Sequence, residues 1–271
     1  NRIPALAVIA TGMTLVLIIG GIDLSVGSVL GLCGAVVGIV MVDVHLPFGL
    51  AVVIAVALGL LAGLVNGLIS VCLRIPSFIV TLGMLEVGRG LAYLVTSSQT
   101  KYIGSTVEGW AKPVAGLGVS LAFFIALLVI ILGQVLLTRT VYGRYLIAIG
   151  TNESAVNFAG INPRPVKIAA FAIAGALSGL GAVFYTSRLG SSDPNAGAGV
   201  ELAAIAAVVI GGTSLMGGRG TIFGACLGAL IMASLDNGMS LLNVRDFMQD
   251  IIKGSILVAA VGLDMMGRKQ S

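Results

Sequence analysis

Charge is scarce in this chain. Only 10% of its 271 residues are Asp, Glu, Lys or Arg, against roughly 25% in a soluble domain. Histidine is nearly absent. His45 stands alone in the turn VDVHLPFG, which argues against a Ser/His hydrolase. The three cysteines, Cys33, Cys72 and Cys226, lie in apolar segments without paired spacing, so neither a disulfide framework nor a zinc site is indicated. No G-x-x-x-x-G-K-[ST] run occurs, which excludes ATP binding through a P-loop. H-E-x-x-H and G-x-S-x-G are missing too, and with them the common zinc-protease and esterase chemistries. No run of intramembrane carboxylates suggests a proton relay. The net charge of +4 sits mostly in loops, where it reports orientation rather than nucleic-acid binding.

What the chain has is apolar length. It is 58% hydrophobic, with a mean hydropathy of +1.11. A membrane-spanning helix needs about 20 mainly apolar residues. Candidate spans cover residues 3–20, a second segment reaching 42, then 50–73, 77–96, 120–137, 168–187, a short 201–216, 221–242 and 247–263. The expectation is an all-α, polytopic transmembrane bundle. It has about nine spans in one domain over residues 1–271. The segment RLGSSDPNAGAG between the sixth and seventh spans reads as a flexible loop.

The longest polar break on the basic side is RTVYGRYLIAIGTNESAVNFAGINPRPVK, residues 139–167. It sets Arg139, Arg144, Arg164 and Lys167 against one acid, Glu153. Lys and Arg concentrate in short cytoplasmic loops, so this loop is assigned to the cytosol. It contains a short helix candidate. Thr151 or Asn152 caps it, Glu153 sits in its first turn, and Gly160 stops it ahead of Pro163 and Pro165. Ala155, Phe158 and Ala159 fall at i, i+3 and i+4 and make one small apolar face. Two turns of helix are not stable alone, so this face calls for a partner surface. The alternative is an ordinary connector at the membrane interface.

Counting outward from that loop places Arg74, Arg268 and Lys269 inside, and Asp43 and His45 outside. Asn1 then falls outside. An upstream helix, expected before Asn1, returns the N-terminus to the cytosol and makes ten spans. Residues 97–118, with Trp110 and Lys112 as interface anchors, and 188–200 come out on the far face as exposed polar loops.

Glycine is abundant, at 39 residues, and ordered. Gly59, Gly63 and Gly67 form a stripe, and Gly27/Gly31, Gly34/Gly38, Gly175/Gly179 and Gly224/Gly228 repeat its spacing. Small residues at this spacing let helices approach closely in lipid. The expected use is packing within one bundle, with subunit contact second. IIGGIDLSVGSVLGLCG also resembles VIGGTSLMGGRGTIFGACLG, matching Gly20-Gly21 to Gly211-Gly212. Such interrupted apolar segments point to a transport pathway. Candidate pathway residues are Asp23, Ser25, Asn66, Thr213 and Ser214. Asp23 is expected to bond backbone amides freed by Gly20, Gly21 and Gly27. Glu86 and Arg89, three apart, are expected to pair.

Three of these stretches resemble a known family. GGIDLSVGS at 20–28, GRYLIAIGTNESAVNFAGI at 143–161 and ELAAIAAVVIGGTSLMGGRGTIFGACLGALI at 201–231 are similar to the permease subunit of bacterial ABC sugar importers. The ribose/galactose/xylose type is the nearest group. The resemblance covers essentially the whole chain. It implies a type II importer-like permease of about ten helices, working as a homodimer in the bacterial inner membrane with its C-terminus in the cytosol. A cytoplasmic ATPase with two nucleotide-binding domains binds the ATP and Mg, and a periplasmic binding protein delivers the sugar. The permease itself carries no catalytic residue, cofactor or metal. The family's ATPase-contacting pattern maps onto Gly150, Asn152, Glu153, Ala155, Ala159, Gly160 and Ile161, with Ser154 where the fuller pattern has alanine. A delivered sugar enters from the outer face, so Glu108, Arg188 and Asp193 become candidate contacts for the binding protein. The competing readings are an ion-coupled carrier, for which Asp23 is a thin candidate, and an intramembrane enzyme, for which no nucleophile and base are present.

Overall fold

A computed structural model describes residues 3–113 and 118–268. Asn1, Lys269 and residues 114–117 of the outer stretch lie outside the described residues. The elements run α1 (Ile3–Ile18), α2 (Val26–Val42), α3 (Phe48–Cys72), α4 (Ser77–Thr96), β1 (Lys101–Tyr102), α5 (Ser105–Glu108), α6 (Leu121–Arg139), α7 (Val141–Phe158), α8 (Pro163–Leu189), β2 (Ser191–Ser192), α9 (Val200–Ile210), α10 (Ile222–Leu241) and α11 (Asp246–Arg268).

α1 is the axis. Every residue from Pro4 to Ile18 is buried, because α8, α10, α6, α9 and α7 all pack on it. A helix that is apolar all round belongs in such a position. Outside it, α3, α4, α6, α8 and α10 are long and apolar enough to cross a membrane. α3, α4 and α6 turn leucines such as Leu61, Leu82 and Leu132 outward. α1, α2 and α9 are shorter apolar helices, because backbone breaks at 19–25 and 211–221 interrupt them.

The glycine stripe is internal packing. A Cβ on Gly63 would lie 2.1 Å from the carbonyl oxygen of Phe171, and one on Gly175 would lie 2.1 Å from that of Gly59. Only residues without a side chain allow α3 and α8 this close, and close approach is how helices gain dispersion contact in lipid.

Two expectations about polar segments need correction. The connector after α8 is not a loose exposed loop. β2 pairs antiparallel with β1, Lys101 opposite Ser192 and Tyr102 opposite Ser191. Ser192, Pro194, Ala196 and Gly197 are buried. The hydroxyl of Ser192 donates to the Gly34 carbonyl at 2.7 Å. Arg89 is the second correction. It does not pair with Glu86, which is exposed. Its Nη1 donates to the carbonyls of Ala196 at 2.9 Å and Pro194 at 3.3 Å. The physical reason is shared. Buried backbone carbonyls need donors, and a guanidinium on the inward face of α4 supplies several. Trp110 packs against two rings, 5.1 Å from Phe48 and 6.4 Å from Phe184 between centroids.

Candidate functional site

The basic loop is mostly helix. α7 starts at a Thr140 cap, whose hydroxyl accepts from the Gly143 amide at 3.2 Å. It is kinked at Asn152, the one residue with non-helical angles, φ −159° and ψ 95°. The Asn152 side chain then accepts from the Ala155 amide at 3.0 Å and caps a second helical piece. That piece is the expected short helix, carried on a longer arm that the sequence reading missed. Its end has a defined geometry. The Ile161 amide donates to Val156 at 3.2 Å, the Gly160 amide to Asn157 at 3.0 Å, and Gly160 has φ +79°. This is a Schellman stop, which needs a left-handed residue. Glu153 forms an ion pair with Lys167 at 3.0 Å. Val156 points inward, while Ala155, Ala159 and Phe158 face out, Phe158 with 92% of its surface exposed. Phe158 is the one large apolar side chain on the outward face of this short piece.

The two helix breaks share one construction. α1 ends when the Gly20 amide bonds Leu17 and the Gly21 amide bonds Val16, both at 2.9 Å; α9 ends when the Gly212 amide bonds Val209 at 2.9 Å and the Thr213 amide bonds Val208 at 3.1 Å. Both are Schellman stops, at Gly20 (φ +75°) and Gly212 (φ +85°). The structural match is therefore Gly20 to Gly212, one residue off the pairing read from the sequence. Each break borrows side chains from a neighbouring helix. Ser77 and Thr81 of α4 each accept from an amide of the first break, those of Ile22 and Leu24, at 3.0 Å. Gln134 of α6 accepts from Ile222 at 2.9 Å and Phe223 at 3.2 Å at the start of α10.

The breaks meet beside Gly150 of α7. The Gly218 amide donates to the Ile18 carbonyl at 2.8 Å. Gly150 sits against both, since a Cβ there would fall 1.8 Å from that carbonyl oxygen and 2.4 Å from the Gly218 nitrogen. A Cβ on Gly217 would lie 2.9 Å from the Gly20 nitrogen and 3.0 Å from the Gly150 oxygen.

Asp23, Ser25 and Asn66 come together. Asn66 Nδ2 donates to Ser25 Oγ at 2.9 Å, and Ser25 donates through Oγ (2.6 Å) and its amide (2.8 Å) to Asp23 Oδ1. Asp23 thus accepts from a backbone amide freed at the break, as expected, and the amide is that of Ser25; those of Gly20 and Gly21 are taken by the stop of α1. Thr213 and Ser214 lie apart from this chain, in the second break, where Ser214 bonds Arg219 at 3.0 Å and Met216 at 3.2 Å. All five residues are buried, and none lines either of two open cavities. One, of about 620 Å³, lies at the end where α7 meets α8 and is lined by Arg74, Glu153, Asn157, Arg164 and Lys167 among others. The other lies at the opposite end, between α1, α8, α9, α10 and α11.

Of the expected outer contacts, Glu108 pairs with Lys112 at 2.7 Å. Asp193 Oδ1 accepts from the Asn195 amide at 2.8 Å. Arg188 lies over the Tyr185 ring, 5.1 Å from its centroid. Sequence reasoning missed Lys253, which forms an ion pair with Asp236 at 3.0 Å. It also missed Glu201, which lies with Arg89 along the glycine face of α2.

An apolar bundle with paired glycine breaks and an uncovered helix at their junction defines a multi-pass membrane permease. The chain belongs to the family described as the permease component of branched-chain amino acid transport systems, whose model matches residues 1–261. It is the permease component of an ABC transport system, and ATP hydrolysis falls to a separate subunit. It is 43% identical over 265 residues to the ribose import permease protein RbsC of Bacillus subtilis, covering 97% of this chain and 81% of that protein. To RbsC of Haemophilus influenzae it is 40% identical over 262 residues, covering 95% of this chain and 81% of that one. To the xylose transport system permease protein XylH of Escherichia coli it is 35% identical over 325 residues, covering 97% and 83%. No solved structure matches the chain.

Proposed function

We propose that this chain is the translocating subunit of an ATP-driven, binding-protein-dependent sugar importer of the pentose or hexose class. The observation that carries the reading is the junction at Gly150, where the arm of an uncovered cytoplasmic helix packs directly on the backbone of both helix breaks. Movement of that helix by a partner would pass through Gly150 to the breaks. The names of the similar permeases, ribose and xylose, favour a sugar as cargo. In this reading two copies form a type II permease with nine spans in each chain, surrounded by lipid, with the C-terminus in the cytosol. Gly150, Asn152, Glu153, Ala155, Ala159, Gly160 and Ile161 form the ATPase-docking segment, and the ATPase holds ATP and Mg. Asp23, Ser25, Asn66, Thr213 and Ser214 lie along the translocation pathway. Glu108, Arg188 and Asp193 lie on the face that receives the binding protein.

The test is uptake in proteoliposomes that carry the permease with a partner ATPase and a sugar-binding protein. Accumulation of D-ribose, D-xylose or D-galactose that needs internal ATP supports the reading. Accumulation driven by an ion gradient without the ATPase makes the chain a secondary carrier instead.

A further inference from the structure

The cavity at the end opposite the Gly150 junction has a volume of about 480 Å³, within the roughly 300–1,000 Å³ typical of small-molecule sites. Its walls are largely apolar, from Leu6, Ile9, Leu30, Leu202 and the edge of Phe184. Its polar groups are Tyr185 and Arg188 on α8, Asp236 on α10, and Asp250 and Lys253 on α11. Lys253 Nζ lies 3.0 Å from Asp236 and 3.9 Å from Asp250. The central pair is largely withdrawn from water, Lys253 at 24% and Asp236 at 14% exposure, while Asp250 stands at the mouth, 79% exposed.

Fold stability does not account for this cluster. Desolvating an ion pair among apolar walls offsets most of its attraction, and an apolar pair of similar volume commonly serves a fold as well or better. Charges withdrawn among the apolar walls of a membrane protein are candidates for function. The composition also restricts the ligand. Two cations and two acids leave no net charge, and the buried pair is matched internally. An ion finds no unmatched counter-charge there. A neutral polyol finds carboxylate acceptors, ammonium and guanidinium donors, and the rings of Phe184 and Tyr185 for its apolar face.

We propose that this cavity is a binding site for the uncharged monosaccharide, with Asp236, Asp250, Lys253 and Arg188 as its hydrogen-bonding set. The proposal rests on the sugar-importer reading. The sugar enters here after delivery and waits above the closed breaks.

A thiol-protection assay on the permease purified with its ATPase tests it. Ala198 is exposed and lines the cavity. Ala198→Cys, in a chain with Cys72→Ser and Cys226→Ser, reports occupancy through its rate of modification. The probe is whichever of D-ribose, D-xylose or D-galactose the reconstituted importer takes up. That sugar should slow modification several-fold, and L-leucine should not. Asp236→Leu with Lys253→Met should fold with unchanged or higher thermal stability and weaken protection roughly ten- to hundredfold, as loss of hydrogen bonds to charged groups implies. Asp236→Asn alone carries the same test where the double variant does not accumulate. Unchanged modification with sugar, protection by leucine instead, or full protection in the variants each overturns the site. Uptake without protection overturns the cavity alone, whereas absence of uptake of all three sugars overturns the importer reading beneath it.

Discussion

Gly150 and Ile18 are in backbone contact: a Cβ on Gly150 would fall 1.8 Å from the Ile18 carbonyl oxygen. That oxygen already accepts the Gly218 amide at 2.8 Å. One glycine thus joins α7 to both breaks. Gly150→Ala should force α7 away from the junction. Overpacking of this kind costs roughly 1–3 kcal/mol, and here the atoms in the way are backbone. ATP-driven uptake should fall at least tenfold while inserted permease remains detectable. Wild-type uptake in Gly150→Ala refutes the joint.

Gly160 separates conformation from crowding. A Cβ there meets nothing within 4 Å, yet φ is +79°. Gly160→Val should destabilise the stop by roughly 1–2 kcal/mol, and Gly160→Asn, which tolerates that conformation, should not. Substrate-stimulated ATPase activity should drop in the first and persist in the second. Equal activity in both removes the stop from the docking surface.

Phe158 is 92% exposed, so Phe158→Ser should leave the melting temperature of the isolated permease unchanged. It should weaken ATPase association measured by co-purification. Lost stability with intact association reverses the assignment.

Ser25 and Ser214 are buried in the closed breaks, at 1% and 3% exposure. Ser25→Cys and Ser214→Cys should react slowly with a small aqueous thiol reagent in the resting complex, and faster when nucleotide opens the breaks. Inertness of both in every nucleotide state places the pathway elsewhere.

On the face carrying β1 and β2, Glu108 sits beside Lys112 and Asp193 caps its own turn. Glu108→Lys with Asp193→Lys should reduce stimulation by the binding protein, more at low salt, where exposed charges are least screened. Stimulation unchanged at low ionic strength rejects these acids as contacts. Cleavage of 97–113 or 188–200 by protease added on the cytoplasmic side inverts the topology.

Much of this protein is legible from local residues alone. Apolar runs near 20 residues mark helices, because an unpaired backbone is costly in lipid. Asn152 and Gly160 announce a cap and a stop, because both act within a few residues of themselves. The four-residue spacing of Gly59, Gly63 and Gly67 announces a close-packed face for the same local reason. Three long motifs carry the family.

What the sequence could not decide is which distant groups meet. Arg89 has Glu86 three residues away on its own helix, yet it bonds carbonyls at 194 and 196. Buried carbonyls lack any solvent alternative, whereas an exposed carboxylate has water. Asp23 had several freed amides to choose from, and the helix stop had taken the nearest two. The partner of the glycine stripe, the meeting of both breaks at Gly150, and the pairing of Asp236 with Lys253 are products of chain topology. Periodicity sets which face a residue occupies, and only the packed bundle sets what that face touches.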